Sequence, residues 1–156
     1  AAPGIVPIEA LSSSRVTTTI AEPAAPPPKP AQRVPSVEEV NAALERAIAA
    51  DKKSDVALLS LYLARRQKAS GTADVGELLR RVVRMSAELG LKDLHAEARL
   101  DLGEEARAAG DLTTACEHWQ IARSLFEEGS QKAKAENVEA RMKRFGCPTD
   151  WVLNDF

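Results

Sequence analysis

Single glycines recur at almost regular intervals along this chain, and their spacing constrains its fold more than any other feature. Gly71, Gly90, Gly110, Gly129 and Gly146 recur about every 17 to 20 residues, the length of a helix and its loop. Glycine readily adopts the left-handed backbone conformation that closes a helix, so each of these residues is predicted to end a helix of about four turns. The spacing therefore favours a series of helices joined by short loops.

The sequence also repeats itself with a period of about 39 residues, within the range of helical repeat proteins. The matching pairs are Ala64 and Gly103, Gly71 and Gly110, Gly90 and Gly129, and Ala96-Glu97 and Ala135-Glu136. Such periods are typical of an α-solenoid, in which each helical hairpin buries its apolar face against the next. Aromatic residues make up only 4% of the chain, which argues against a β-sandwich.

The helical part of the chain is predicted to begin at Ser36. Ser36-Val37-Glu38-Glu39 has the spacing of a capping box, in which the serine hydroxyl accepts a hydrogen bond from the first turn. We therefore expect an all-α fold, a short α-solenoid of about six helices arranged as hairpins over residues 36–146. The longest apolar run, Val56 to Ala64, is far shorter than the ~18 residues that a membrane-spanning helix needs.

Residues 1–35 form a separate segment that holds eight of the nine prolines. Proline lacks the N–H group that a helix needs and disfavours helix at the residue before it, so this segment is predicted to be an extended Pro- and Ala-rich tail. Its apolar content is too low to offset the entropy of ordering, and we expect a partner to fix it. The expected anchors are its β-branched apolar residues Ile5, Val6, Ile8, Val16 and Ile20.

The clearest repeat lies between Ala96 and Gly129, where Leu102-Gly103, Gly110-Asp111, Ala115, Trp119 and Ala122 follow one another. This arrangement resembles a tetratricopeptide repeat. That family places small residues where two helices cross and a bulky aromatic residue between two alanines on the second helix. In the preceding repeat, Arg80 and Val83 stand at the positions that correspond to Trp119 and Ala122.

The resemblance implies a concave wall formed by the first helix of each pair. Carried over from Ala64 and Gly103, this wall comprises Leu58, Leu61, Arg65, Lys68, Glu97, Leu100, Glu104 and Arg107. Such a wall suits an extended peptide or helix that carries apolar and acidic groups. Alternatively, Leu58 and Leu61 are core residues, since Val56 to Ala64 is apolar on nearly every face.

Cys116 and Cys147 are the two cysteines of the chain. If the chain folds back after Gly146, Cys147 comes near Cys116 and a disulfide is possible. Otherwise Cys116 is a small buried thiol unrelated to Cys147. Residues 147–156 form an aromatic C-terminal tail, which is expected either to cap the last hairpin or to dock on a partner.

No metal, cofactor or catalytic site is expected. His95 and His118 are predicted to lie about 10 Å apart along their helices, too far to share a metal ion with Cys116. No Ser, His and Asp set stands out, and widely spaced single glycines do not form a phosphate-binding loop. A formal net charge of -2 gives no general attraction to nucleic acid.

These features predict a non-catalytic protein-interaction or scaffold protein whose partners are other protein subunits. Nucleic acid and small-molecule ligands are not expected. In the main hypothesis the chain is an accessory subunit of a larger assembly and uses its tail as a tether. In the alternative hypothesis it is an adaptor or chaperone that binds a peptide or helix reversibly in its concave groove.

Overall fold

A computed structural model describes residues 33–71 and 74–149 of the chain. The chain divides into two units, residues 1–34 and 35–156, and nearly all of the described residues lie in the second. The proposed tail anchors Ile5, Val6, Ile8, Val16 and Ile20 lie outside the described residues, and so does most of the aromatic C-terminal tail, residues 150–156.

The described part of the second unit is all helical and contains six helices. They are α1 (Val37–Ala49), α2 (Lys53–Ala69), α3 (Gly76–Leu89), α4 (Lys92–Ala108), α5 (Leu112–Glu128) and α6 (Lys132–Arg144). Each helix packs against the next along the chain, and α2 also contacts α4. The prediction of an all-α array of helical hairpins is therefore confirmed. No helix within residues 33–71 and 74–149 is long and apolar enough to cross a bilayer.

The start of the array is set by the predicted N-cap. The Ser36 hydroxyl accepts a hydrogen bond from the backbone N–H of Glu39 at 3.2 Å, and α1 begins at the next residue. Asp111 does the same for α5, accepting from the backbone N–H of Thr114 at 3.1 Å. Both caps satisfy a donor that would otherwise lack a partner in the first turn of the helix.

Four of the five glycines end their helices in the predicted conformation, but Gly129 does not. Gly71, Gly90, Gly110 and Gly146 have φ between 70° and 91°, in the left-handed region. Gly129 has φ -83°, and the left-handed residue is its neighbour Ser130, with φ 60°.

Gly129 is instead a point of close approach. A Cβ atom built on it would lie 2.6 Å from Oδ1 of Asp93, so no larger residue fits there unless that side chain moves. The prediction for Gly129 was therefore right about where α5 ends and wrong about why. The next helix, α6, begins at Lys132 and is preceded by Gln131, whose side chain makes no cap hydrogen bond.

The core consists of three buried clusters that follow one another along the array. One buried cluster joins α1 and α2, a second joins α2, α3 and α4, and a third joins α4, α5 and α6. The third cluster surrounds Trp119, whose side chain is completely buried. A Cβ atom on Gly103 would lie 2.3 Å from Nε1 of Trp119, so the indole packs directly on the backbone of α4. Gly103 and Trp119 thus form the close helix crossing that the sequence predicted.

The buried positions of α3 recur in α5 one repeat and one residue later. Gly76, Leu79, Val82 and Ser86 correspond to Cys116, Trp119, Ala122 and Phe126, and all eight are buried. Leu79 and Val82, and not Arg80 and Val83, therefore occupy the positions of Trp119 and Ala122. The offset of 39 residues holds between α2 and α4, but the buried positions of α3 and α5 are offset by one residue more. For this reason the sequence comparison did not find the register.

Candidate interaction surface

In the hairpins α2–α3 and α4–α5 the first helices are α2 and α4, and α6 is the first helix of the next unit. Ion pairs join α2 to α4 and α4 to α6. Arg65 on α2 donates to both carboxylate oxygens of Asp101 on α4 at 2.8 and 3.0 Å, and to Glu97 at 2.8 Å. Lys68, one turn further along α2, pairs with Glu105 at 2.9 Å. The contacts between α2 and α4 therefore match two basic residues with three acidic ones.

The same α4 helix pairs with α6 on its other side. Lys134 contacts Glu97 at 3.2 Å, and Arg141 donates to Glu104. Glu104 also pairs with Arg107 of its own helix at 3.1 Å. We call this set the ion-pair ladder; its members are Arg65, Lys68, Glu97, Asp101, Glu104, Glu105, Lys134 and Arg141.

The ion pairs of the ladder stabilise the charged forms of Arg65 and Glu97. The hydrogen bond to Asp101 is the main reason that the pKa of Arg65 lies above its usual value. Burial acts to raise the pKa of Glu97, but hydrogen bonds from Arg65 and Lys134 outweigh it, and the net shift is downward. Glu97 therefore remains ionised between two cations at neutral pH.

The residues predicted for the concave wall separate into three groups. Arg65, Lys68, Glu97, Glu104 and Arg107 are exposed or half-buried and are all paired within the chain. Leu61 is 4% exposed and belongs to the core, and Leu100 is partly buried against the third cluster. Leu58 is 57% exposed and stands on the surface. The core interpretation thus fits Leu61, and the surface interpretation fits Leu58.

Sequence reasoning did not identify four members of the ladder, Asp101, Glu105, Lys134 and Arg141. A signal was present, since the acid and base of each ladder pair that joins two helices are 32 to 37 residues apart in sequence, less than the repeat period of about 39. Opposite charges at that separation face each other when successive first helices stack. The offset alone could not be distinguished from the many other charges on helix surfaces.

A cavity of about 430 Å³ opens at the end of the surface formed by α4 and α6. It is lined by Glu104, Arg107, Asn137, Ala140, Arg141, Arg144 and Phe145, and we call it the arginine cavity. Its charged lining is three guanidinium groups and one carboxylate. The ring of Phe145 lies 5.3 Å from the guanidinium carbon of Arg107 and 5.5 Å from that of Arg144, within the range of cation–π contact.

The chain after α6 folds back over the last hairpin. The rings of Phe145 and Trp119 lie 5.5 Å apart, and Cys147 forms a disulfide with Cys116 at the start of α5, with Cα atoms 5.6 Å apart. Of the alternatives for the two cysteines, the structure therefore has the bridged one. Cys147 belongs to the third core cluster and Phe145 packs against it, whereas residues 150–156 lie outside the description.

His95 and His118 both lie beside one arginine, Arg99. Arg99 Nε donates to Nε2 of His95 at 3.2 Å, and Arg99 Nη1 lies 3.3 Å from Nδ1 of His118. Burial, together with the charge of Arg99, lowers the pKa of each histidine to about 4. Both rings are therefore neutral at pH 7. Within residues 33–71 and 74–149, no group of three His, Cys, Asp or Glu side chains could hold a metal ion.

Comparison with known proteins identifies no relative. No family model matches the chain, and no curated protein and no solved structure matches it either.

Proposed function

We propose that this chain is a tetratricopeptide-like, non-catalytic interaction module that serves as an accessory or scaffold subunit of a larger protein assembly. The observation that carries the proposal is the ion-pair ladder, because its charges are matched within the chain. A surface of this kind suits a fixed platform better than a groove that must exchange charged ligands.

Energetic reasoning favours the platform over the groove. A charged peptide entering between α2 and α4 would have to displace Asp101 and Glu97 from Arg65, and would exchange one ion pair for another with little net gain. The tail, residues 1–35, would then carry a large part of the affinity for the assembly, as the anchors in it imply.

The arginine cavity supports a second candidate function, that of an adaptor for acidic peptides. Arg107, Arg141 and Arg144 outnumber Glu104 there, and guanidinium groups bind carboxylates in a bidentate manner. An acidic side chain or a terminal carboxylate of a peptide would therefore find unmatched positive charge in this cavity, although it would find little along the rest of the ladder.

Purification of the full chain from its native source, followed by gel filtration and mass spectrometry, tests the two functions. A subunit should elute with partner proteins in fixed stoichiometry. An adaptor should elute alone and bind a Glu-rich peptide reversibly, with binding lost in Arg107→Ala plus Arg144→Ala. Arg80→Ala plus Arg81→Ala, which removes two charges from α3, is the matched control. Stoichiometric partners that survive loss of Arg107 and Arg144 favour the subunit.

The tether is tested by a chain that starts at Ser36. We expect it to keep its helical circular dichroism and melting temperature, since the described caps and core clusters lie at or after that residue. It should lose most of its affinity for the assembly. Unchanged affinity in a pull-down with the same partners would contradict the tether role of the tail.

A further inference from the structure

The solvent-exposed side of α2 carries an apolar surface at positions where α4 has ion pairs. On α4, the residues that form ion pairs with the preceding first helix, α2, are Glu97, Asp101 and Glu105, each with a side chain 23% exposed. The corresponding positions on α2, one repeat earlier, are Leu58, Tyr62 and Arg66. Among the described helices, α1 precedes α2 but is not the first helix of a hairpin. These three positions therefore have no preceding first helix to contact.

These residues have the features of an incomplete contact. Leu58 is 57% exposed and Tyr62 is 38% exposed, so two large apolar side chains one turn apart face solvent. Arg66 Nε is shielded from solvent and has no hydrogen-bond partner among the described residues. A partner that covers this side should therefore bring apolar contact at Leu58 and Tyr62 and an acid at Arg66.

The same side of α2 supplies that acid. Asp55 lies in the first turn of α2, one turn before Leu58, and takes part in no ion pair within residues 33–71 and 74–149. Asp55 and Arg66 are equally far, about 8 Å along the helix axis, from a point near residue 60, and Leu58 and Tyr62 lie on either side of that point. We call Asp55, Leu58, Tyr62 and Arg66 the open edge of α2.

We propose that the open edge binds a second copy of this chain, with the two α2 helices antiparallel across a two-fold axis. In that arrangement Asp55 of each copy faces Arg66 of the other, and Leu58 and Tyr62 of the two copies pack together at the centre. A two-fold contact needs a self-complementary patch, and the open edge is complementary to itself in both charge and apolar surface.

One pair of helices buries less than the roughly 1,200 Å² at the lower end of standard interfaces, so we expect a weak dimer that forms at about 100 μM protein.

Charge exchange between the two positions tests the proposal on the full chain. Sedimentation velocity at about 100 μM should show the natural sequence mainly as a dimer. Asp55→Lys alone and Arg66→Glu alone should each be monomeric, because every copy then meets a like charge, with dimer affinity reduced about tenfold or more. An equimolar mixture of the two variants should dimerise again, since the introduced lysine of one would face the introduced glutamate of the other, and the natural Arg66 would face the natural Asp55.

Two controls keep the result decisive. Circular dichroism of each variant checks that the helices persist, and Glu77→Lys reverses an exposed first-turn acid on α3 and should leave the mass unchanged. Leu58→Glu should abolish the dimer independently of the charge pairs. A natural sequence that stays monomeric at 100 μM, or an Asp55→Lys variant that dimerises as well as the natural one, overturns the proposal.

Discussion

Gly103 is a residue at which the absence of a side chain is a structural requirement. The indole of Trp119 occupies the space where a Cβ atom would stand, at 2.3 Å. We predict that Gly103→Ala lowers the free energy of unfolding by about 1–2 kcal/mol, because the cost of overpacking exceeds the ~1 kcal/mol that alanine gains in helix propensity. Urea denaturation followed by circular dichroism measures the difference.

Gly76→Ala is the matched control for this substitution. The nearest atoms to a Cβ at Gly76 are the guanidinium nitrogens of Arg80 and Oδ1 of Asp74, all at 3.2 Å, and the arginine end is flexible. Its stability should be unchanged within about 0.5 kcal/mol. Equal effects of the two substitutions would show that the contact with Trp119 does not make glycine necessary at position 103.

The two histidines beside Arg99 should make stability depend on pH. Both have pKa values of about 4 in the fold, against about 6.5 in an unfolded chain, so the unfolded chain binds more protons between these values. The free energy of unfolding should therefore fall as the pH drops from 6.5 towards 4, by about 1–2 kcal/mol for the pair, since His118 is only half-buried and solvent screens part of its interaction with Arg99. Above pH 7 they should have no effect.

Urea midpoints at pH 7.5, 6 and 5 measure this dependence before most carboxylates titrate. The charged groups that face His118 besides Arg99 are Arg80 and Asp111, and Arg99 is the one that acts on His95. A variant with His95→Gln and His118→Gln should have a nearly flat profile over this range. A profile as steep as that of the natural sequence would place the titrating groups elsewhere.

Between helices, the strength of the ladder can be compared with that of an ion pair inside one helix. Arg65 joins α2 to α4 through two carboxylates, whereas Arg80 pairs with Glu77 three residues earlier on α3. We predict that Arg65→Ala costs about 0.5–1 kcal/mol and Arg80→Ala about 0.3 kcal/mol. Both side chains are about half exposed, so the comparison isolates the contact between helices.

Thermal unfolding at 50 mM and 500 mM NaCl completes this test. The difference between the natural sequence and Arg65→Ala should shrink at the higher salt concentration, because half-exposed charges are screened. A double-mutant cycle with Asp101→Ala should give a coupling energy of the same size. Additive effects of the two substitutions would mean that the ion pair between Arg65 and Asp101 does not contribute to the free energy of unfolding.

The helices themselves were predictable because local chemistry determines them. Ser36 and Asp111 carry their caps in the sequence, and four glycines provide the left-handed turns. The register between helices was harder, since Leu79 replaces an aromatic residue at the position of Trp119 and a single inserted residue shifts the match. The pairing of Arg65 with Asp101 depends on how two helices that are distant in sequence lie beside each other, which no local pattern contains.

The disulfide should stabilise the last hairpin more than any single side-chain contact does. It closes a loop between residues 31 positions apart, from the start of α5 to the residue after Gly146. We predict that reduction lowers the free energy of unfolding by about 2–4 kcal/mol, mainly because the unfolded chain gains freedom. Denaturation with and without a reducing agent measures the loss.

A variant with Cys116→Ala and Cys147→Ala provides the control for reduction. It should be as unstable as the reduced protein and should not respond to the reducing agent. If the natural protein is equally stable in both redox states, the cysteines do not form the bond under those conditions.

Across the whole molecule, the sequence predicted the array but not what its surface does. Regular glycines and a repeated spacing are enough to indicate stacked hairpins, because each hairpin must bury its face on a neighbour. The function of the surface depends on which charges are already matched. Arg107 and Arg65 look equivalent in the sequence, but Arg107 shares the carboxylate of Glu104 with Arg141, whereas Arg65 is matched by two carboxylates.

The disulfide between Cys116 and Cys147 should make the C-terminal end of the array more resistant to local unfolding than the N-terminal end. The closed loop contains all of α6 and most of α5, so the C-terminal hairpin cannot peel away while the bond is intact. At the other end, α1 packs against α2 through an apolar cluster and lies outside the loop that the disulfide closes. Fraying should therefore start at the N-terminal end and advance one way along the helices, with backbone amides exchanging with deuterium first in α1 and last in α5.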